Sequence, residues 1–79
     1  MSFPQAKNRI VGIHQLRKAL RAGTVCAVYL ADDADPALTG PIAQQCAEEN
    51  IPVMRVKTMR QLGRECSISV GAACAADLR

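Results

Sequence analysis

One short segment combines residue types that could bind a phosphate group and the edge of a nucleobase. Gly12 can adopt backbone angles that other residues resist, and a helix starting after it directs unpaired N–H groups toward an anion. Gln15 in the first turn could hydrogen-bond a base, while Lys18 and Arg21 would face phosphates further along. An ordinary amphipathic surface helix accounts for the same pattern. The full segment is Gly12-Ile13-His14-Gln15-Leu16-Arg17-Lys18.

A second segment of interest lies close to the C-terminal end and is less polar. Ile68 and Val70 flank Ser69 just before the last predicted strand. An exposed Ile68 would offer an apolar surface to an unstacked base. For Val70 we expect core packing instead. Each segment alone is weak evidence for a binding site.

Other residue types that can support catalysis or bind metals lack the necessary neighbours. The acids Asp32, Asp33 and Asp35 are not followed by the Gly and the bidentate Glu of a calcium loop. We therefore expect them to cap helices and form turns. His14 has no nucleophile or carboxylate close to it in sequence, and no phosphate-binding loop or nucleophile elbow occurs. The sequence thus favours a protein that is not an enzyme and needs no cofactor or metal.

The cysteines indicate the compartment. They stand at positions 26, 46, 66 and 74, form no CxxC pair and are far from His14, so the spacing of a zinc site is missing. Residues 1–9 lack the apolar core of a secretory signal, and no apolar run approaches 18 residues. We expect buried free thiols in a cytoplasmic protein that does not enter membranes.

Charge is distributed unevenly along the chain. Residues 1–22, which include Lys7 and Arg9, carry five basic and no acidic side chains, whereas residues 23–54 carry five acidic and no basic ones. Residues 55–64 are basic again, with Arg55, Lys57, Arg60 and Arg64. A bipolar surface produces a directed field that can attract a polyanion, although charge runs are also common on solvated faces. Only Phe3 and Tyr29 are aromatic, which argues against binding single strands by stacking.

Periodicity predicts strands alternating with helices. Short strands are expected at 9–11, 24–31, 51–56 and 70–76, and the second is apolar enough to be covered on both faces. Helices are expected at 14–22, from Asp35–Pro36 or from Thr39–Gly40–Pro41 to about 49–50, and at 59–65 after Thr58. Their inward positions would be Leu16, Ala19 and Leu20, then Leu38, Ile42, Ala43, Cys46 and Ala47, then Leu62. Gly23 fits a left-handed C-cap, and Gly63 weakens the third helix. This order predicts an α/β fold, a three-layer α/β/α sandwich.

Four motifs in register resemble the L7Ae family of kink-turn-binding ribosomal proteins, and most closely its short members from Gram-positive bacteria. The resemblance covers nearly the whole chain. It implies one domain, residues 1–79, with the small mixed sheet of the ribosomal L30e-like fold. The motifs are Gly12-Ile13-His14-Gln15-Leu16-Arg17-Lys18, Leu30-Ala31-Asp32-Asp33-Ala34-Asp35-Pro36, Met59-Arg60-Gln61-Leu62-Gly63 and Ser67-Ile68-Ser69-Val70-Gly71-Ala72.

The resemblance also implies which residues contact RNA. His14 and Gln15 would lie against tandem sheared G·A pairs in a groove that the kink opens, with the backbone of Gly12 close by. Lys18 would contact phosphate or base, and Arg17 and Arg21 would extend the positive field. Ile68, Ser69 and Val70 would cover the extruded nucleotide. The complete implied set is Gly12, Ile13, His14, Gln15, Arg17, Lys18, Arg21, Ala31, Asp32, Ile68, Ser69 and Val70.

The partner expected from this resemblance is a structured RNA with a kink-turn, such as ribosomal RNA or a riboswitch. We expect a ribosomal or ribosome-associated monomer that stabilises the bent RNA and has no specificity for DNA. Two other interpretations remain open. One is a protein-interaction module that docks through the acidic half between Asp32 and Glu49. The other is a small-ligand α/β domain, for which 79 residues leave little room.

Overall fold

Strands and helices alternate along residues 8–79, the part of the chain that the computed structural model describes. Phe3, Lys7 and the N-terminal segment considered above as a possible signal lie outside the described residues, except for its last two positions. No helix in the described part is long and apolar enough to cross a membrane. The strands are β1 (Arg9–Val11), β2 (Val25–Ala31), β3 (Val53–Val56) and β4 (Cys74–Leu78), and the helices are α1 (Ile13–Ala22), α2 (Pro36–Glu48) and α3 (Met59–Glu65).

The strands form a mixed sheet in the order β1-β4-β2-β3. β2 runs parallel to β3, whereas β4 is antiparallel to both of its neighbours. Because side chains alternate along a strand, Val28 and Leu30 of β2 pack under α1 and α2, and Tyr29 packs under α3 on the other face. The predicted three-layer α/β/α sandwich with a small mixed sheet is confirmed.

α1 follows the predicted amphipathic pattern. Leu16, Ala19 and Leu20 are buried against the sheet. The helix ends at Gly23, whose φ of 72° is left-handed and whose N–H donates to the carbonyls of Ala19 and Leu20. A glycine adopts this conformation without the steric cost that a side chain would bring. The predicted C-cap is therefore confirmed.

α2 is one helix rather than a helix with a second start at residues 39–41. The Asp35 carboxylate caps it by accepting a hydrogen bond from the N–H of Ala37, and Pro41 lies inside it. Its buried stripe is formed by Thr39, Ile42 and Cys46. The predicted inward positions of Leu38 and Ala47 are wrong, because both side chains are exposed. The stripe keeps the spacing of three and four residues but begins at Thr39 instead of Leu38, on the side that faces the sheet.

The last strand lies further along the chain than predicted, at Cys74–Leu78 rather than 70–76. Its position follows from pairing: Cys74 lies opposite Leu30 and Leu78 opposite Val25. The preceding residues form a loop held against α3 by two hydrogen bonds, from the Ile68 N–H to the Gly63 carbonyl and from the Ala72 N–H to the Met59 carbonyl. β3 is also shorter than predicted and begins at Val53.

The four cysteines are free thiols, but they are not uniformly buried. Cys46 and Cys74 are buried and Cys66 is half-buried, whereas Cys26 is exposed. The expectation of a buried thiol is therefore wrong at Cys26. The residue lies where the register between β2 and β4 shifts, and an extra residue in a strand disturbs the alternation of its side chains.

A polar network joins three strands on the face of the sheet against which α3 packs. The Tyr29 hydroxyl donates to Asp77 at 2.5 Å, and the Arg9 guanidinium donates to the same carboxylate at 2.6 Å. Arg9 also lies over the Tyr29 ring, 5.2 Å from its centroid. Burial and the hydrogen bond to Asp77 raise the pKa of Tyr29 to about 12. The hydrogen bond to Asp77 likewise raises the pKa of Arg9.

Candidate nucleic-acid interface

One end of the sheet brings together the two segments with predicted binding residues. The Gly12 N–H, just before α1, donates to the Cys74 carbonyl at 3.1 Å, where β4 begins. The Ala31 N–H, at the end of β2, donates to the Ala73 carbonyl at 3.0 Å. The start of α1, the end of β2 and the end of the 66–73 loop therefore share one edge.

Gly12 has the backbone conformation that its position requires. Its φ of 108° and ψ of 153° lie in a region that is essentially restricted to glycine. Its carbonyl accepts the N–H of Leu16 and so begins the helical hydrogen bonding. No side chain caps this end, and within residues 8–79 the N–H groups of Ile13, His14 and Gln15 have no acceptor. These groups are available to an anion.

The outward face of α1 is basic and carries no acid. His14, Arg17 and Arg21 are exposed, and within the described residues neither arginine forms an ion pair. Gln15 and Lys18 are also exposed, and both line a shallow cavity of about 330 Å³ beside the edge strand β1. The structure thus brings these two side chains to the same flank of the helix.

The loop before β4 presents apolar side chains to solvent. Val70 is 68% exposed and Ile68 36% exposed. The expected core packing of Val70 is wrong, because the loop contacts α3 through its backbone: a Cβ on Gly63 would collide with the Val70 carbonyl oxygen. The loop side chains Ile68, Ser69 and Val70 line a cavity of about 460 Å³.

Of the two predicted site residues at the end of β2, one is buried and the other is exposed. The Ala31 side chain is only 1% exposed, so it presents no side-chain surface to a ligand. Asp32 is exposed, and its carboxylate lies 3.6 Å from the Arg55 guanidinium, which compensates part of its charge. The structure therefore places Asp32 at this edge as one half of an ion pair.

The other acids have structural roles, as predicted. Asp35 caps α2, and Asp33 accepts a hydrogen bond from the Met59 N–H at 2.7 Å, which ties the start of α3 to the turn after β2. Both side chains remain exposed while they form these bonds. Cys74 beside Gly12 is buried, and burial raises the pKa of its thiol to about 11. A neutral, buried thiol is a packing group and a poor nucleophile.

Sequence reasoning missed two residues that line the loop cavity, Arg60 and Arg64. Both are exposed and lie next to the apolar loop side chains. Their spacing of four residues, in a segment without acids, was the available signal. This spacing indicates a site only in combination with the loop that folds back along α3, and the sequence does not predict that loop's position.

The family model described as "Ribosomal protein L7Ae/L30e/S12e/Gadd45 family" matches residues 3–78. An RNA-binding protein of Geobacillus sp. strain WCH70 is 40% identical over 75 residues, which cover 95% of this chain and 92% of that protein. An RNA-binding protein of Caldanaerobacter subterraneus subsp. tengcongensis is 43% identical over 70 residues, 89% of this chain and 85% of that protein.

Solved structures show the same fold. The Giardia lamblia 15.5kD RNA binding protein superposes with a TM-score of 0.81 at 25% identity; the match covers 90% of this chain and 60% of that one. A protein from Bacillus halodurans superposes with a TM-score of 0.80 at 25% identity, with 90% of this chain and 71% of that one covered. The resemblance stated from the motifs is confirmed, and the chain belongs to the ribosomal protein L7Ae/L30e/S12e/Gadd45 family.

Proposed function

We propose that this protein binds structured RNA at kink-turns and stabilises their bent conformation. The observation that carries the proposal is the hydrogen bond from the Gly12 N–H to the Cys74 carbonyl. It joins the uncapped, basic start of α1 to the strand that follows the apolar loop. Family membership and the names of the bacterial relatives support RNA as the ligand.

In this proposal the two segments contact different parts of the kink. The free N–H groups and Gln15 at the start of α1 read the edges of tandem sheared G·A pairs, with His14 beside them. Lys18, Arg17 and Arg21 contact or attract phosphates along the same stretch of the RNA. Ile68 and Val70 cover the extruded nucleotide. A regular A-form helix keeps its major groove too narrow for such contacts, and the kink opens it.

The mechanism is capture of one RNA conformation. A sharp bend brings phosphates close together, so the bent form is unfavourable without a compensating cation. A protein that binds only the bent form shifts the equilibrium by its differential affinity for the two states. Basic residues on α1 also supply long-range attraction that depends on salt. The protein acts as a monomer on ribosomal RNA, a riboswitch or another RNA with this element, and performs no catalysis.

A gel shift with two RNA duplexes tests the proposal. One contains a kink-turn, and in the other the sheared G·A pairs are replaced by Watson–Crick pairs. Each altered pair in a recognition site typically costs about 1–3 kcal/mol, so we expect a preference of about 30-fold or more for the kink-turn. Equal affinity for both RNAs would leave only charge attraction and refute specific recognition.

A further inference from the structure

We propose that α3 carries a second RNA-contact surface, in which Arg60 and Arg64 bind phosphates of the strand that passes over the loop of residues 67–71. This inference rests on the proposed RNA-binding function and extends it. It adds a second helix, on the opposite face of the sheet from α1, to the RNA-binding surface.

The geometry concentrates positive charge beside an apolar surface. Arg60 and Arg64 are four residues apart in α3 and therefore project from the same side of the helix. Both line the cavity of about 460 Å³ that Ile68 and Val70 also line. The remaining lining residues are Ser67, Ser69 and Gly71, so no described residue around this cavity is acidic.

The two arginines are not used within the fold. Within residues 8–79, Arg9 and Arg55 pair with carboxylates, whereas neither Arg60 nor Arg64 has an ion-pair partner or a side-chain hydrogen bond. Both side chains are exposed. Their charges are therefore free to attract a ligand from solution.

A nucleotide fits this combination of groups better than a simple anion does. Guanidinium groups bind phosphate oxygens through paired, charge-assisted hydrogen bonds. An exposed valine and isoleucine add nothing to the binding of an inorganic anion, but they can pack against a ribose or an unstacked base. The phosphates flanking one unpaired nucleotide would then reach Arg60 and Arg64 while its apolar part lies on Ile68 and Val70.

The position of α3 gives this surface a distinct role. α1 and α3 pack on opposite faces of the sheet, and the edge formed by Gly12 and Cys74 lies between them. An RNA strand that bends at this edge of the sheet can follow α1 on one side and α3 on the other. Arg60 and Arg64 would then bind the RNA strand where it leaves the kink.

The test measures RNA affinity by fluorescence anisotropy at several salt concentrations. The variants are Arg60→Gln, Arg64→Gln and the double variant, with Arg79→Gln as a matched control. Arg79 is exposed and lies beside Thr24, at the other end of the sheet. For the double variant on kink-turn RNA we expect affinity to fall at least tenfold. The slope of log K against log salt should fall by about 1.4, since each phosphate contact on a single strand contributes about 0.7.

The Arg79→Gln control, together with the comparison of kink-turn RNA and a fully paired duplex, separates this proposal from the proposed function. Arg79→Gln should stay within about twofold of the wild type, and Arg60→Lys/Arg64→Lys should retain the slope because it keeps the charge. If the double variant matches Arg79→Gln, or weakens binding to a fully paired duplex by the same factor, the α3 surface is refuted. If wild-type protein fails to prefer the kink-turn, the proposed function is refuted, and the comparison with Arg79→Gln still decides whether Arg60 and Arg64 contact RNA. Circular dichroism checks that each variant is folded.

Discussion

At the scale of single residues, Lys18 gives the most direct test of the α1 surface. It is exposed in a helix, and within residues 8–79 it has no ion-pair partner. Lys18→Ala should therefore leave the helix intact, since alanine is the best helix former. We expect about tenfold weaker binding to kink-turn RNA at moderate salt, with a salt slope smaller by about 0.7–0.9, as for the loss of one phosphate contact.

The matched variant for this measurement is Lys18→Arg, which keeps the charge at the same position. It should retain the wild-type slope even if its affinity changes. An unchanged slope in Lys18→Ala would remove Lys18 from the phosphate contacts. The comparison isolates charge from helix stability, which a single alanine variant cannot do.

At the scale of elements, the loop before β4 depends on its fit against α3. A side chain at Gly63 would collide with the Val70 carbonyl oxygen, which is backbone and cannot rotate away. We expect Gly63→Ala to lower the free energy of unfolding by about 2 kcal/mol, within the usual range for overpacking, as measured by urea denaturation. It should also weaken RNA binding, because the loop that carries Ile68 and Val70 must move.

Gly40→Ala provides the control for this element. Gly40 also lies in a helix, and apart from its two chain neighbours a Cβ there would meet nothing within 4 Å. Alanine has a lower backbone entropy in the unfolded state, but Pro41 disfavours helical backbone for a preceding residue that carries a Cβ. These effects oppose each other, so Gly40→Ala should change the free energy of unfolding by less than about 1 kcal/mol. If Gly63→Ala behaved in the same way, the close approach of the loop to α3 would be contradicted.

The same elements show how far the sequence could predict the fold. α1 and the cap residues Gly23, Asp35 and Thr58 were predictable, because periodicity and capping chemistry are local signals. The start of β4 was not, because it follows from pairing with β2 across more than forty intervening residues. From the sequence alone, Gly63 predicts only a weaker α3, because the loop that packs against it is brought there by tertiary structure.

The candidate site also contains residues that the sequence could predict and residues that it could not. The residues of α1 were predictable because the basic stripe and the glycine before it occupy one continuous segment. The exposure of Val70 and the position of Arg60 and Arg64 beside it were not predictable. They depend on where the chain turns after α3, and no local pattern specifies that turn.

At the scale of the whole molecule, the Arg9–Asp77–Tyr29 network lies on the face of the sheet against which the short helix α3 packs. A seven-residue helix such as α3 is about 10 Å long, whereas the seven residues of β2 span about 23 Å. α3 therefore cannot cover the whole face of the sheet. Arg9, Asp77 and Tyr29 come from three strands, and Arg9 covers the ring of Tyr29. Each buried polar group in the network has a partner, which burial requires.

The network predicts a loss of stability at alkaline pH. Tyr29 is fully buried as the neutral phenol, and its pKa is raised from 10.0 to about 12. An acid with a raised pKa in the folded state stabilises the fold below its unfolded pKa, and this contribution disappears as pH rises through the folded pKa. A shift of this size corresponds to about 2.7 kcal/mol. Urea denaturation of the wild type should therefore show the loss between about pH 10 and pH 12.

Tyr29→Phe separates this effect from the buried thiols, which also titrate at alkaline pH in both proteins. Near pH 8 the variant should be less stable than the wild type by about 1–3 kcal/mol, because Asp77 loses a hydrogen-bond donor. The difference between the two proteins should shrink as pH rises toward 12, since only the wild type loses the contribution of the neutral phenol. A difference that stays constant over this range would mean that the Tyr29 proton does not couple to folding.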